Sequence, residues 1–133
     1  MVERQGRPLA ACLSAANRPD AQLFAPLLDR IPPIKRPRGR ARRRPDKLHA
    51  DKAYDTPACR AALRQRRIKA RIARKGIECS DRLGRHRWVA ERTLSWLSDF
   101  RRLAIRYERR DDIHEAFLHL ACALICERSL PAG

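Results

Sequence analysis

Lys47-Leu48-His49-Ala50-Asp51 and Ile68-Lys69-Ala70-Arg71-Ile72 bracket a segment that opens with Asp55-Thr56-Pro57. The first run is short and lies between Pro45 and the turn signal at Asp55-Thr56-Pro57, which reads as a strand. Thr56 is a good helix N-cap, and Pro57 occupies the first helical position, where its missing N–H costs nothing. The helix that follows turns Cys59, Ala62 and Leu63 inward and its arginines mostly outward. Ile68 to Ile72 alternates apolar and polar residues, the pattern of a half-buried strand. Strand, helix, strand in this order argues for an α/β domain.

Working outward from this unit, Lys35 to Arg44 holds seven basic residues in ten positions, with Pro37 and Gly39 as breakers. This basic loop, 35–46, is not expected to form an element. Before it, Asp20 caps a helix through Ala21, Leu23, Phe24, Leu27, Leu28 and Ile31, stopped by Pro32-Pro33. Gly6-Arg7-Pro8 reads as a turn and Leu9 to Ser14 as a short buried strand. After it, Gly76 to Gly84 is a polar loop. Val89, Thr93, Trp96, Phe100, Leu103 and Tyr107 recur at helical steps and predict one long helix. Asp111-Asp112 starts a last helix, Ile113 to Arg128, with its main stripe at Ile113, Phe117, Leu120 and Leu124. The expected architecture is one α/β domain over 1–130, with a small mixed sheet, packed helices and two C-terminal helices. Residues 131–133 are expected to fray.

In 133 residues, Lys plus Arg number 31 against 15 Asp plus Glu, for a formal net charge of +16. Apolar residues still make up 44% of the chain, enough to bury a core. No apolar run is long enough to cross a membrane. A charge this large favours a polyanionic partner, nucleic acid before an acidic membrane surface. It argues against an enzyme acting on small molecules alone. The five cysteines, at 12, 59, 79, 122 and 126, are odd in number and form no CxxC pair. That opposes a disulfide framework or a zinc ribbon and fits a reducing cytoplasm. The stretch Pro8 to Leu13 is too short and Ala-rich for a signal peptide.

Two carboxylates stand out. Asp51 ends a strand of an α/β unit, where active-site groups collect, although an aspartate there also serves simply to turn the chain. Glu91 lies off the apolar stripe of its helix and shares a face with Arg87, Ser95 and Ser98; a plain surface pair with Arg87 is the bland alternative. In a protein that must approach a polyanion, two such acids gain meaning as ligands of Mg²⁺, a hard cation suited to oxygen. Lys35, Arg36, Arg38, Arg40, Arg42, Arg43 and Arg44 are candidate phosphate contacts rather than a solvated linker. Trp96 belongs to the core, while Trp88 is balanced between packing and contact with a DNA end. His119, Cys122 and Cys126 share a helix face and are read as packed side chains with buried thiols, since no further ligand follows at useful spacing.

Leu48-His49-Ala50-Asp51-Lys52-Ala53-Tyr54-Asp55 resembles the second-aspartate motif of bacterial insertion-sequence transposases of the DDE class. Arg87-Trp88-Val89-Ala90-Glu91-Arg92-Thr93-Leu94-Ser95-Trp96-Leu97, with Phe100 to Leu103 and Arg106-Tyr107-Glu108, is similar to their glutamate signature. The stretches Pro8 to Asn17, Leu27 to Asp29, Arg36 to Gly39 and Ile113 to Ala121 fit as well, so the likeness covers nearly the whole chain.

The resemblance implies a partial RNase H-like catalytic domain. Asp51 becomes the second metal-binding aspartate, Glu91 the triad glutamate and Arg87 the arginine of the signature. Mg²⁺ or Mn²⁺ is the implied cofactor. Double-stranded DNA, as transposon ends and target, is the implied partner, in a bacterial, nucleoid-associated setting. A second copy of the chain or the product of an upstream reading frame is a further expected partner. The implied reaction is strand cleavage followed by strand transfer. The signature's tyrosine and lysine positions are Gly84 and Ser98 here. The first aspartate belongs upstream of the region matched by Val2 to Leu13, so these residues alone are expected to be inactive. A non-catalytic nucleic-acid-binding module or an inactive transposase remnant is the alternative.

Overall fold

The computed structural model describes residues 1–15, 17–35, 37–42, 44–74, 76 and 84–130, with only the backbone described for 84–87. The expected polar loop 76–84 and Cys79 fall almost wholly outside these residues, as does the tail. The chain forms two compact units, Ser14–Arg87 and Met1–Leu13 with Trp88–Gly133.

In the first unit, strand β1 (Lys47–Ala50) pairs in parallel with β2 (Lys69–Ile72), Lys47 opposite Lys69 and Ala50 opposite Ile72. Helix α2 (Pro57–Gln65) connects them. A parallel pair needs such a crossover, because a tight turn reverses direction. Thr56 caps α2 by accepting from the Cys59 amide at 3.2 Å, with Pro57 in its first turn, as the sequence predicts. Cys59, Ala62 and Leu63 are buried, and Leu48, Ile68 and Ile72 join them in the core. Full burial of each larger apolar side chain contributes about 1.5–3 kcal/mol. Upstream, a 3-10 turn at Asp20–Leu23 leads into helix α1 (Phe24–Asp29), which buries Phe24 and Leu28. Asp20 is not the cap: Pro19 holds that position with no side-chain bond, and Asp20 lies in the first turn.

The second unit departs further from expectation. Leu9 to Ser14 is not a strand. The chain touches itself in one antiparallel bridge, Val2 with Pro8, and runs on irregularly. The Leu9 and Ala10 amides both donate to the Met1 carbonyl, at 2.9 and 3.4 Å, which uses the donors a ladder would need. Among the described residues the sheet is therefore two-stranded and parallel, not mixed. The single helix expected through Tyr107 is two: α3 (Gly84–Ser98) and α4 (Arg101–Ala104), with extended Phe100 between them. Ser98 and Asp99, poor helix formers, sit at the break, and the Ser98 hydroxyl donates back to the Leu94 carbonyl at 3.0 Å.

The last helix, α5 (Asp111–Arg128), has two aspartates in its first turn and Arg128 in its last, matching the helix dipole. It buries His114, Leu118, Ala121 and Ile125, whereas Ile113, Leu120 and Leu124 are exposed. The buried face is thus one residue, about 100°, away from the predicted stripe. No helix among the described residues is long and apolar enough to cross a membrane.

Candidate active site and nucleic-acid interface

Asp51 is the first residue past the carboxyl end of β1, at the end of the parallel pair where ligands of open α/β sheets bind. It is exposed, caps a 3-10 turn at Lys52–Tyr54, and accepts from the Lys52 amide at 2.6 Å. Its carbonyl accepts from the Tyr54 amide at 2.9 Å. Two contacts brace this turn. Tyr54 packs on Phe24 of α1 with ring centroids 5.5 Å apart. Asp55 accepts from Arg60 Nε at 2.6 Å, and Arg60 Nη2 reaches the Ile72 carbonyl at 3.2 Å. One guanidinium therefore ties the turn after β1 to the end of β2. Asp55 and Arg60 lie only five residues apart, at the start of a capped helix, a spacing from which the pair is legible in hindsight.

Glu91 lies exposed on α3. Its neighbour Arg92 sits between two indoles one turn either way, 4.5 Å from the Trp88 ring and 4.7 Å from the Trp96 ring. It also donates to the Gln5 carbonyl at 2.5 Å. Next along, the buried Thr93 hydroxyl lies 2.7 Å from the Gly6 carbonyl and 3.0 Å from that of Val89. The turn at Gly6 is thus clamped on the segment of α3 that carries Glu91. Trp-x3-Arg-x3-Trp spacing places all three side chains on one helix face, which is the signal for this stack in the sequence. Trp88 is half exposed and its ring is engaged by Arg92. Trp96, expected in the core, is half-buried.

Asp51 belongs to the unit Ser14–Arg87 and Glu91 to the other, and each is positioned by its own unit. The Arg87 side chain lies outside the described residues, as do Arg36 and Arg43. Both candidate acids are carboxylates, the donors a Mg²⁺ ion requires. Among the described residues, no group of three or more His, Cys, Asp or Glu is placed to hold a metal ion.

The basic loop has more order than a run of breakers suggests. Ile34 and Arg42 exchange both backbone hydrogen bonds at 2.8 Å, closing a hairpin-like loop. Arg42 pairs with Asp46 and donates to the Arg44 carbonyl, while Arg44 donates to the Arg66 carbonyl at 2.6 Å. Those two arginines hold the loop. Lys35, Arg38 and Arg40 stand exposed on it. Elsewhere in this unit an open cleft is lined by Asp29, Ile31, Pro33, Arg44, Arg66 and Ile68; Asp51 is not part of it.

Cys12, Cys59, Cys122 and Cys126 are free thiols. Cys122 and Cys126 are half-buried rather than buried, because the irregular N-terminal segment only partly covers α5: the Cys126 thiol donates to the Pro8 carbonyl at 3.7 Å. Burial, with Cys126 close by, pushes the Cys122 thiol above its ordinary pKa.

Residues 1–126 match the family model described as Transposase DDE domain. The chain is also 49% identical over 130 residues to a Burkholderia cepacia protein named as a transposase for insertion sequence element IS402. That alignment covers 98% of this chain and 62% of the relative, so the chain spans less than two thirds of the relative's length. No solved structure matches it. The small α/β arrangement, with an aspartate at the carboxyl end of a parallel strand, agrees with this match, and the chain belongs to the DDE transposase domain family.

Proposed function

We propose that this chain takes part in metal-dependent cleavage and strand transfer of DNA at insertion-sequence ends, with Asp51 and Glu91 as two of the carboxylates that hold the metal. One observation carries the reading: Asp51 stands past the carboxyl end of β1 in a turn fixed by the Asp55–Arg60–Ile72 bridge. Mg²⁺ or Mn²⁺, when bound, would supply Lewis-acid activation of the attacking oxygen and charge stabilisation of the leaving one. The protein's own part is to hold the carboxylates rigidly, Asp51 through the Arg60 bridge and Glu91 through the clamped segment of α3. Arg87 is proposed to assist Glu91, and Trp88 to border the DNA end. Lys35, Arg38 and Arg40, with Arg36 and Arg43, contact phosphates of double-stranded DNA, while Arg42 and Arg44 shape the loop that presents them.

Duplex DNA and the metal are the partners that these residues are proposed to bind. Paramagnetic relaxation by Mn²⁺ in the presence of duplex DNA tests the assignment. Asp51→Asn and Glu91→Gln should each weaken Mn²⁺ binding by about tenfold or more, with DNA affinity retained. Unchanged Mn²⁺ binding in both variants would sink the metal assignment and leave a DNA-binding module.

A further inference from the structure

We propose that the solvent face of the β1–β2 ladder is a second binding surface for the DNA backbone, separate from the basic loop. The proposal rests on the reading of the chain as a DNA-binding transposase domain. Alternate residues of a strand face opposite sides of the sheet. Here one side carries Leu48, Ala50, Ala70 and Ile72, which face the core. The other side carries Lys47, His49, Lys69 and Arg71, all exposed. The parallel register sets Lys47 opposite Lys69 and His49 opposite Arg71.

Like charges placed directly opposite destabilise a sheet. An ordinary solvated face avoids this by mixing signs, and neither strand contains an acidic residue. Lys47, Lys69 and Arg71 make no ion pair among the described residues. The positions are about 5 Å apart across the strands and about 6.6 Å apart along them, so the cationic heads form one compact patch. In a chain of net charge +16, the partner that relieves this repulsion is a polyanion. A duplex backbone supplies several phosphates within reach of one such patch.

The test is fluorescence anisotropy of the whole chain on a labelled duplex of arbitrary sequence, at several salt concentrations. The combined variant Lys47→Gln, Lys69→Gln, Arg71→Gln should bind more weakly on every sequence. The slope of log affinity against log salt should shrink by about 2–3, close to 0.9 for each cation lost. Its melting temperature should hold or rise, since repulsion has been removed; a purely structural role would lower it. Lys47→Arg, Lys69→Arg, Arg71→Lys should restore binding. A loop variant, Lys35→Gln, Arg38→Gln, Arg40→Gln, separates the two surfaces. If it loses affinity while the sheet variant keeps the wild-type slope, the sheet-face proposal is overturned and the DNA-binding reading stands. If the wild-type chain binds no duplex even at low salt, both fall. Acetylation footprinting of the wild-type chain is independent of any variant's folding. Lys47 and Lys69 should be shielded by DNA, and full reactivity of both in the complex would overturn the proposal.

Discussion

Two residues of positive φ behave oppositely, and both are testable. Arg67, at φ 52°, closes α2: its amide donates to the Arg64 carbonyl, and the Ile68 amide donates to the Leu63 carbonyl, each at 2.9 Å. This is the left-handed helix ending that glycine favours, here made by an arginine at a cost of about 1–2 kcal/mol. Arg67→Gly should therefore raise stability by about 0.5–1 kcal/mol after glycine's extra unfolded-state entropy is set against it. Gly6, at φ 90°, holds a backbone conformation that strains any other residue, and a Cβ there would also crowd Arg92 Nη2 at 2.9 Å and Thr93 Oγ1 at 3.1 Å. Gly6→Ala should cost about 2 kcal/mol or more and loosen the turn from α3. Urea midpoints decide both; a neutral Gly6→Ala would show that the turn is not clamped. The turn at Gly6 was legible in Gly-Arg-Pro. What it approaches was not, because Thr93 lies 87 positions away in the sequence.

At the scale of elements, α5 shows where periodicity runs out. Apolar residues occur nearly all round it, so spacing does not single out a face. The predicted stripe and the buried one differ by a single residue, and packing chose His114, Leu118, Ala121 and Ile125. The consequence is a paired prediction. Leu118→Ala, at a buried position, should cost about 2–4 kcal/mol, whereas Leu120→Ala, at an exposed one, should stay within about 0.5 kcal/mol. Chemical denaturation of the two variants would reverse this order if the sequence stripe were the packed face. In α2, by contrast, Thr56, Pro57 and the pattern Cys59, Ala62, Leu63 agreed on one answer, because the cap and the apolar stripe point the same way.

Across the whole molecule the excess of arginine is handled partly by ion pairs between elements. Arg66 of the α2 end donates to both carboxylate oxygens of Asp29, at 2.8 and 2.7 Å, linking α1 to α2. The hydrogen bonds from Arg66 hold the Asp29 carboxyl below its ordinary value of 3.8, with burial opposing and charge attraction adding to the shift. A carboxyl depressed in the folded state stabilises above its unfolded pKa, and that contribution fades as pH falls through the folded value. The stability difference between wild type and Asp29→Asn should thus be present at neutral pH, begin to shrink near pH 3.8 and vanish in stronger acid. The exposed site makes it small. Urea midpoints across that window measure it, and a difference independent of pH would rule the pair out as its source.

The sequence by itself determined what depends on neighbours a few residues apart. It set the strand–helix–strand unit, the Thr56 cap, the place of Asp51 at a strand end and the excess of positive charge. Only the tertiary structure decided what depends on distant partners. Leu9 to Ser14 lost its strand to bonds with Met1, and Arg92 found Gln5. A parallel register set Lys47 against Lys69. The physical reason is that caps and periodicity are local energies, written within one or two turns of chain. A strand's partner, a helix's buried face and the charge opposite a charge are settled only when separate segments compete for the same hydrogen bonds and the same core.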